Sequence, residues 1–443
     1  MRPVVVGLDV GTTRIKALAV GLNGEPLAEA AVNTPWVHEG AQAHMSAEDL
    51  MRVVREVINA ITSDAQWTSG TQVTGIGVTS MAEAGVLLDQ QGNSLAPIIA
   101  WHDPRGDVET LKNSVGSAEF EGHVGMRLNS KPSVTKILWL EKNLGITPHR
   151  YLSVSEYVAH QLGGEQVSEL CLVSRTGLFD VVKKKPWAAT LDLVGDLLPD
   201  RVVLAGESVG TVSGVHPDFD GATITIAGMD HHCGAFASGA ATSQALFDSL
   251  GTAEALLRFT PGPLTREQLR ELAVHDIAAM WSVIPDHVCL LAAYLTGLSL
   301  ERIARMLGLS SLDARLQVAT EAVTASRGAL RLDTAQHTGL ALTGIDDSAT
   351  PPSLWRAAVE DLFALSTQSI AHMDAMVGPS DSVVIAGGWI HDPMVRSAKE
   401  AALGSFRVSE VNEAGAMGAA MFAAISCGEM ERPSATQIPR WQA

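Results

Sequence analysis

The stretch Val4-Val5-Val6-Gly7-Leu8-Asp9-Val10-Gly11-Thr12-Thr13-Arg14-Ile15-Lys16 places a carboxylate, two hydroxyls and a glycine in one tight turn between two apolar segments. Val4 to Leu8 reads as a buried strand and Ile15 to Val20 as its return partner, so Gly11, Thr12 and Thr13 fall at a hairpin tip where backbone amides suit an anion. Asp9 would repel a bare phosphate. Its natural task is to hold Mg²⁺, through water, against phosphate oxygens, with Lys16 adding a positive charge nearby. The plain alternative is an ordinary first hairpin with a polar tip.

A second segment, from Ala245 to Leu257, repeats the plan of apolar strand, Gly251-Thr252 turn and apolar strand, about 240 residues further on. That distance suits one turn per half of a two-lobed protein, with a nucleotide's phosphates clamped between the lobes. Asp230 is the leading candidate for chemistry. It follows an apolar strand and opens a helix, whose N-terminus favours an ionised carboxylate, although a simple Asp N-cap fits the same segment. His231, His232 and Cys233 beside it point about 100° apart on a helix, so cap and packing roles are expected rather than a metal site.

With both turns in place, the sequence resembles the FGGY carbohydrate kinase family, within the sugar kinase, Hsp70 and actin superfamily. Further segments carry the resemblance. Thr79 to Asp89, Gly92-Asn93 and Ile98 to Arg105 look like the family's sugar-contact hairpin and its Trp-x-Asp-x-Arg end. Ser174 to Asp180 is similar to a stretch late in the first lobe, Ala227 to Ala235 to the catalytic-aspartate segment, and Val383 to Gly388 with the helix after it to the adenosine site. The resemblance implies an α/β protein of two ribonuclease-H-like, actin-like ATPase domains flanking a deep cleft, residues 1–242 and 243–443.

The resemblance implies ATP and Mg²⁺ as co-substrate and cofactor, and Asp230 as the base that accepts a proton from an attacked sugar hydroxyl. It also implies Glu83, Trp101, Asp103 and Arg105, with Asp230 itself, as contacts to a small sugar or polyol, and Gly387 and Gly388 as the place where adenosine meets backbone. Arg105 could equally pair with Asp103. Trp101 could equally be core. Two departures stand out: Met229 lies where relatives often have Gly, and Glu254 follows Gly-Thr where a small or apolar residue is commoner. Near phosphate, Glu254 would be costly, so it points away, pairs with a Lys or Arg, or signals altered nucleotide handling. An actin-like nucleotide switch without a sugar and a phosphohydrolase of the same superfamily remain alternatives to a sugar kinase.

The elements that must position these residues are legible in outline. Val4 to Asp9, Ile15 to Val20 and Leu27 to Val32 form an antiparallel meander, Ser46 caps a helix over Leu50 to Ile61, and Val73 to Thr79 is the next strand. The region from about Asp103 to Phe179 reads as an insertion roofing the substrate, with helices at Thr135 to Asn143 and Glu156 to Gln161. Later helices are expected at Cys233 to Ala241, Leu300 to Leu307, Leu312 to Thr324, Leu354 to Val377, Pro393 to Leu403 and Gly415 to Ala424, with a loose tail from Glu431.

Composition sets outer limits. The chain has 443 residues, 46% of them hydrophobic, which is enough to bury large cores. Lys and Arg number 31 against 49 Asp and Glu, giving −18, so nucleic acid and anionic membranes are poor partners. No apolar run reaches membrane-spanning length and no leader precedes the first strand, so neither a membrane span nor a signal peptide is expected. Cys171, Cys233, Cys289 and Cys427 are scattered, as thiols of a reducing cytoplasm would be. The chain is short for the family, mostly in its second half, and assembly as a homodimer stays open.

Overall fold

Alternation gives way to continuous burial along the opening strand Arg2–Val10: Val4, Val5, Val6, Leu8 and Val10 are all inaccessible to solvent. Such a run requires a strand covered on both faces. The computed structural model, which describes residues 2–243, 245–333 and 340–441, shows this. The chain divides into two compact units, Met1–Ser243 with Phe259–Cys289 and Val411–Ala443, and Gln244–Arg258 with Leu290–Glu410.

In the first unit, Arg2–Val10, Arg14–Gly21 and Pro26–Asn33 form the expected antiparallel meander. Thr71–Ser80 lies parallel to Arg2–Val10, Thr223–Met229 parallel to Thr71–Ser80, and Ser208–Thr211 closes the sheet antiparallel. The register aligns Asp9 with Lys16 on one side and with Thr79 on the other, and Thr79 in turn with Gly228. Three parallel strand ends therefore finish level, which brings Asp9 and the residues after Met229 to one edge.

The helix Ala47–Thr62 starts where the sequence places it: Ser46 Oγ accepts from the Asp49 amide at 2.9 Å. It buries Leu50, Val53, Val54, Val57, Ile58 and Ile61 against the meander. The other face is covered by the helix Ala414–Ser426, made largely of Ala and Gly. Its backbone lies directly on the sheet. A Cβ at Gly7 would stand 1.8 Å from the Ala416 carbonyl oxygen, and one at Gly77 2.0 Å from that of Ala419, so only glycine fits there.

The helix after Met229 differs from expectation in its bounds. The segment expected as Cys233 to Ala241 is helical over Asp230–Ala237, because the strand ends at Met229 and Gly239 takes φ +66° just past the last turn.

In the second unit, Ala245–Leu250 pairs antiparallel with Glu254–Pro261 and parallel with Ser382–Ala386, which pairs with Arg407–Val408. The helices Thr296–Met306, Leu312–Ala322, Pro351–Val377 and Pro393–Leu403 accompany these strands. The long helix begins three residues before the expected Leu354: Thr350 caps it through the Ser353 amide, and prolines fill its first positions, where no amide partner is needed. Its Trp355, Leu362 and Phe363 join Leu300, Ile385, Ile390 and Val395 in one apolar core. Burial of each such side chain contributes about 1.5–3 kcal/mol. Among the described residues no helix is long and apolar enough to cross a membrane. The tail from Glu431 has no regular element up to Trp441, and its last two residues lie outside the described ones.

Candidate active site

The first turn is held by its own backbone and by three neighbours. The Gly11 amide donates to the Arg14 carbonyl at 3.1 Å, so that N–H closes the hairpin. Thr34 Oγ1 donates to the Gly11 carbonyl at 2.7 Å, and the Trp36 indole to the Thr12 carbonyl at 2.7 Å. The Trp101 indole donates to Thr12 Oγ1 at 2.9 Å. Trp101, expected at the sugar, is thereby tied to the first turn.

Asp9 is the last residue but one of the strand before that turn. Its Oδ1 is enclosed and has no hydrogen-bond partner among the described residues. Burial, then repulsion from Asp230 and Glu413, raises its pKa to about 8, with Lys16 pulling the other way. Lys16, opposite Asp9 in the strand register, forms an ion pair with Glu413. Glu413 caps the Ala414–Ser426 helix in a left-handed conformation, φ +47°. Two residues on, a Cβ at Gly415 would stand 2.5 Å from Asp9 Oδ2. The helix N-terminus thus abuts the carboxylate.

Asp230 is the first residue of its helix, and its Oδ1 accepts from the His231 amide at 2.7 Å. His232 is fully buried, with Nδ1 3.3 Å from Cys171 Sγ, and burial pushes its pKa down to about 3, so the ring is neutral. Cys233 Sγ donates to the Ala227 carbonyl at 3.1 Å. Among the described residues no group of three or more His, Cys, Asp and Glu side chains is placed to hold a metal by itself. Mg²⁺ does not need one, since it keeps several waters and takes one or two carboxylates with phosphate oxygens. An enclosed, unpartnered Asp9 oxygen beside a second carboxylate fits that requirement.

The remaining first-unit residues are paired. Asp103 is inaccessible to solvent; its carboxylate takes the Arg105 guanidinium at 2.6–3.1 Å, the Arg105 amide at 2.8 Å and the Ala43 amide at 2.7 Å. Asp103 has no oxygen left for a ligand, whereas Arg105 is held in place, its guanidinium 5.4 Å from the Trp139 ring. Glu83 takes a left-handed conformation, φ +62°, and is ion-paired through Oε1 with buried Arg175. Close by, Lys136 Nζ donates to the carbonyls of Ser130 at 2.7 Å and Asp103 at 3.3 Å, and burial lowers its pKa to about 8.

In the second unit the Gly251 amide donates to the Ala253 carbonyl at 3.0 Å, and the Thr252 carbonyl accepts from the Leu298 amide at 2.9 Å. Glu254 turns inward, away from the turn's surface, and is inaccessible. Gly387 takes φ +103°, and a Cβ there would stand 2.2 Å from the Leu250 carbonyl oxygen, so the glycine is required by the neighbouring strand. A Cβ at Gly388 would meet nothing within 4 Å. Sequence reasoning did not single out Glu413, Gly415, Arg175 or Lys399. Arg175 lies within the Ser174 to Asp180 stretch, and Gly415 and Lys399 within expected helices; nothing in the sequence marks Glu413.

The family model for the N-terminal domain of the FGGY family of carbohydrate kinases matches residues 4–237, and that for the C-terminal domain matches residues 249–427. The chain is 27% identical over 271 residues to an L-fuculokinase of Escherichia coli K12, covering 57% of this chain and 56% of that protein. It is 23% identical over 208 residues to a gluconokinase of Bacillus subtilis, covering 46% and 40%. The chain thus spans about half the length of the curated relatives it matches. A ligand-bound xylulose kinase from Lactobacillus acidophilus has the same fold at TM-score 0.86 and 17% identity, over 97% of this chain and 90% of that one. So does a Plasmodium falciparum glycerol kinase with ADP, at TM-score 0.84 and 15% identity over 97% and 91%. The expected pair of ribonuclease-H-like α/β domains is therefore observed.

Proposed function

The chain belongs to the FGGY family of carbohydrate kinases, and from that premise we propose that it transfers the γ-phosphoryl group of ATP to a hydroxyl of a small sugar, ketose or polyol. The observation that carries this reading is the carboxylate pair at the sheet edge: Asp9 with an enclosed, unpartnered oxygen, and Asp230 oriented through one oxygen at a helix start.

Phosphoryl transfer asks a protein for positioning and charge neutralisation rather than covalent chemistry. With Oδ1 fixed by the His231 amide, Asp230 keeps Oδ2 to accept the proton of the attacking hydroxyl. Asp9 would hold Mg²⁺, which when bound offsets phosphate charge. Gly11, Thr12, Thr13 and Lys16 from the first turn, and Gly251 and Thr252 from the second, take the phosphates. Gly387 and Gly388 take the adenosine, with Gly388 the open position of the two. Glu83, Trp101 and Arg105 face the sugar, and Asp103 serves it by aiming Arg105. The anionic chain acts on a small molecule, without nucleic acid or membrane as partner, in the cytoplasm, and homodimer formation is compatible with these roles.

ADP release, followed with and without a panel of tetroses, pentoses, ketoses, aldonates and polyols, tests the reading. A kinase shows strong stimulation by one class of sugar. Equal ADP release with and without every sugar identifies a phosphohydrolase, and nucleotide binding without turnover identifies a switch.

A further inference from the structure

The second unit buries three charged side chains to which the proposed reaction gives no task. Lys399 Nζ lies 2.6 Å from Asp248 Oδ2 and 2.5 Å from Glu254 Oε1, and none of the three side chains is more than 1% exposed. Thr296 Oγ1 donates to Glu254 Oε2 at 2.7 Å. The ammonium also stands 4.2 Å from the centre of the Phe363 ring. Apolar side chains of the same size would pack here at least as stably, because removing ions from water is costly. In some proteins a buried ionic group of this kind specifies one arrangement of the chain.

The cluster is joined to both glycine turns. Glu254 is the register partner of Leu250, so its carboxylate stands at the base of the Gly251-Thr252 turn. Thr296, which it binds, opens a helix whose next residues clasp the same turn: the Leu298 amide donates to the Thr252 carbonyl at 2.9 Å, and a Cβ at Gly297 would stand 2.0 Å from the Gly251 carbonyl oxygen. Lys399 comes from the helix Pro393–Leu403, which follows Gly387-Gly388, and Gly387 packs on the Leu250 carbonyl. Asp248 lies on the strand between, opposite Ile385 of the strand that leads into Gly387. Four of the segments that shape the two turns therefore each contribute one member of the cluster.

We propose that Lys399, Glu254, Asp248 and Thr296 are positioning residues for the nucleotide: they fix the Gly251-Thr252 turn against the Gly387-Gly388 turn, so that phosphate and adenosine contacts are set before ATP arrives. This rests on the assignment of those two turns to ATP. The inward turn of Glu254 then serves nucleotide binding indirectly, without placing its charge at the phosphates.

The test is calorimetric titration of the full chain with Mg²⁺ and ADP, with melting temperature measured alongside. Thr296→Val removes one hydroxyl and no charge; it should weaken ADP binding about tenfold, while Thr296→Ser restores it. The isosteric triple variant Asp248→Asn, Glu254→Gln, Lys399→Met removes all the buried charge and should weaken ADP binding at least as much. A lower melting temperature with unchanged ADP affinity in Thr296→Val overturns the proposal and leaves a packing role. Gly251→Asp tests the underlying assignment separately, since a Cβ there has its nearest neighbour at 3.8 Å and the variant brings a negative charge without a clash at Cβ. If Gly251→Asp binds ADP normally, the turn's assignment to phosphate falls and takes the positioning role with it. If Gly251→Asp abolishes binding while Thr296→Val and the triple variant keep it, only the positioning role is lost.

Discussion

Two glycine-threonine turns stand on the same strand-turn-strand plan, yet acidic side chains beside them have opposite surroundings. At the first, Asp9 has an enclosed oxygen with no donor, and the nearest cation, Lys16, is turned to Glu413. At the second, Glu254 is fully buried, and Lys399 and Thr296 occupy both of its oxygens. The difference lies in partners. A buried carboxylate supplied with a lysine is a structural member, whereas an enclosed one left beside further carboxylates holds on to its proton until a cation and its ligands arrive.

That contrast can be broken most sharply at the first site. Asp230→Asn keeps the hydrogen bond at the helix start but cannot accept a proton, and turnover should fall by roughly 10³-fold or more with ADP affinity near normal. Steady-state and binding measurements check this; substantial remaining turnover would remove Asp230 as the base.

The lysines should separate next. Lys399→Met strands two buried carboxyl groups and should destabilise the protein by about 3–5 kcal/mol in denaturant unfolding. Lys16→Met breaks a partly exposed pair and should cost about 0–1 kcal/mol. Equal losses would erase the distinction drawn between the two turns.

A third measurement uses buried carboxyls away from both turns. Burial raises Glu156 to about 7 and Glu169 to about 8, from the usual 4.5. A carboxyl raised by folding contributes stability that is fully present below pH 4.5 and lost as the pH climbs through 7 to 8. The melting temperature should therefore fall between about pH 5 and 8 and level off above, each group contributing up to about 1.4 kcal/mol per pH unit in that window. Glu169→Gln should flatten the fall, and an unchanged profile in that variant would contradict the assignment.

The smallest effect is expected at Gly415. Gly415→Ala presses a methyl group against Asp9 Oδ2, from 2.5 Å, and the carboxylate can yield by rotating. A rise of a few-fold in the KM for ATP, with the sugar KM unchanged, would show that Asp9 needs its present orientation.

Much of this was legible in the sequence, because it rests on local rules. Strand-turn-strand patterning located both turns, the Ser46 cap located the first long helix, and the spacing of apolar residues located Pro351–Val377 to within three positions. What stayed hidden involves partners far apart in the chain. Glu413 reaches Lys16 across 397 residues, Lys399 reaches Glu254 across 145, and Arg175 reaches Glu83 across 92. No periodicity or propensity signals such a pair. Sequence also leaves open what a glycine is for: Gly387 could equally have made room for a ligand, and the strand at Leu250 turns out to require it. The sequence by itself determined the family, the α/β architecture and the two turns, because hydrophobic period and turn chemistry are written residue by residue. Only the tertiary structure decided which acids are paired with a cation and which are left without one, because burial and pairing depend on what the fold brings beside them.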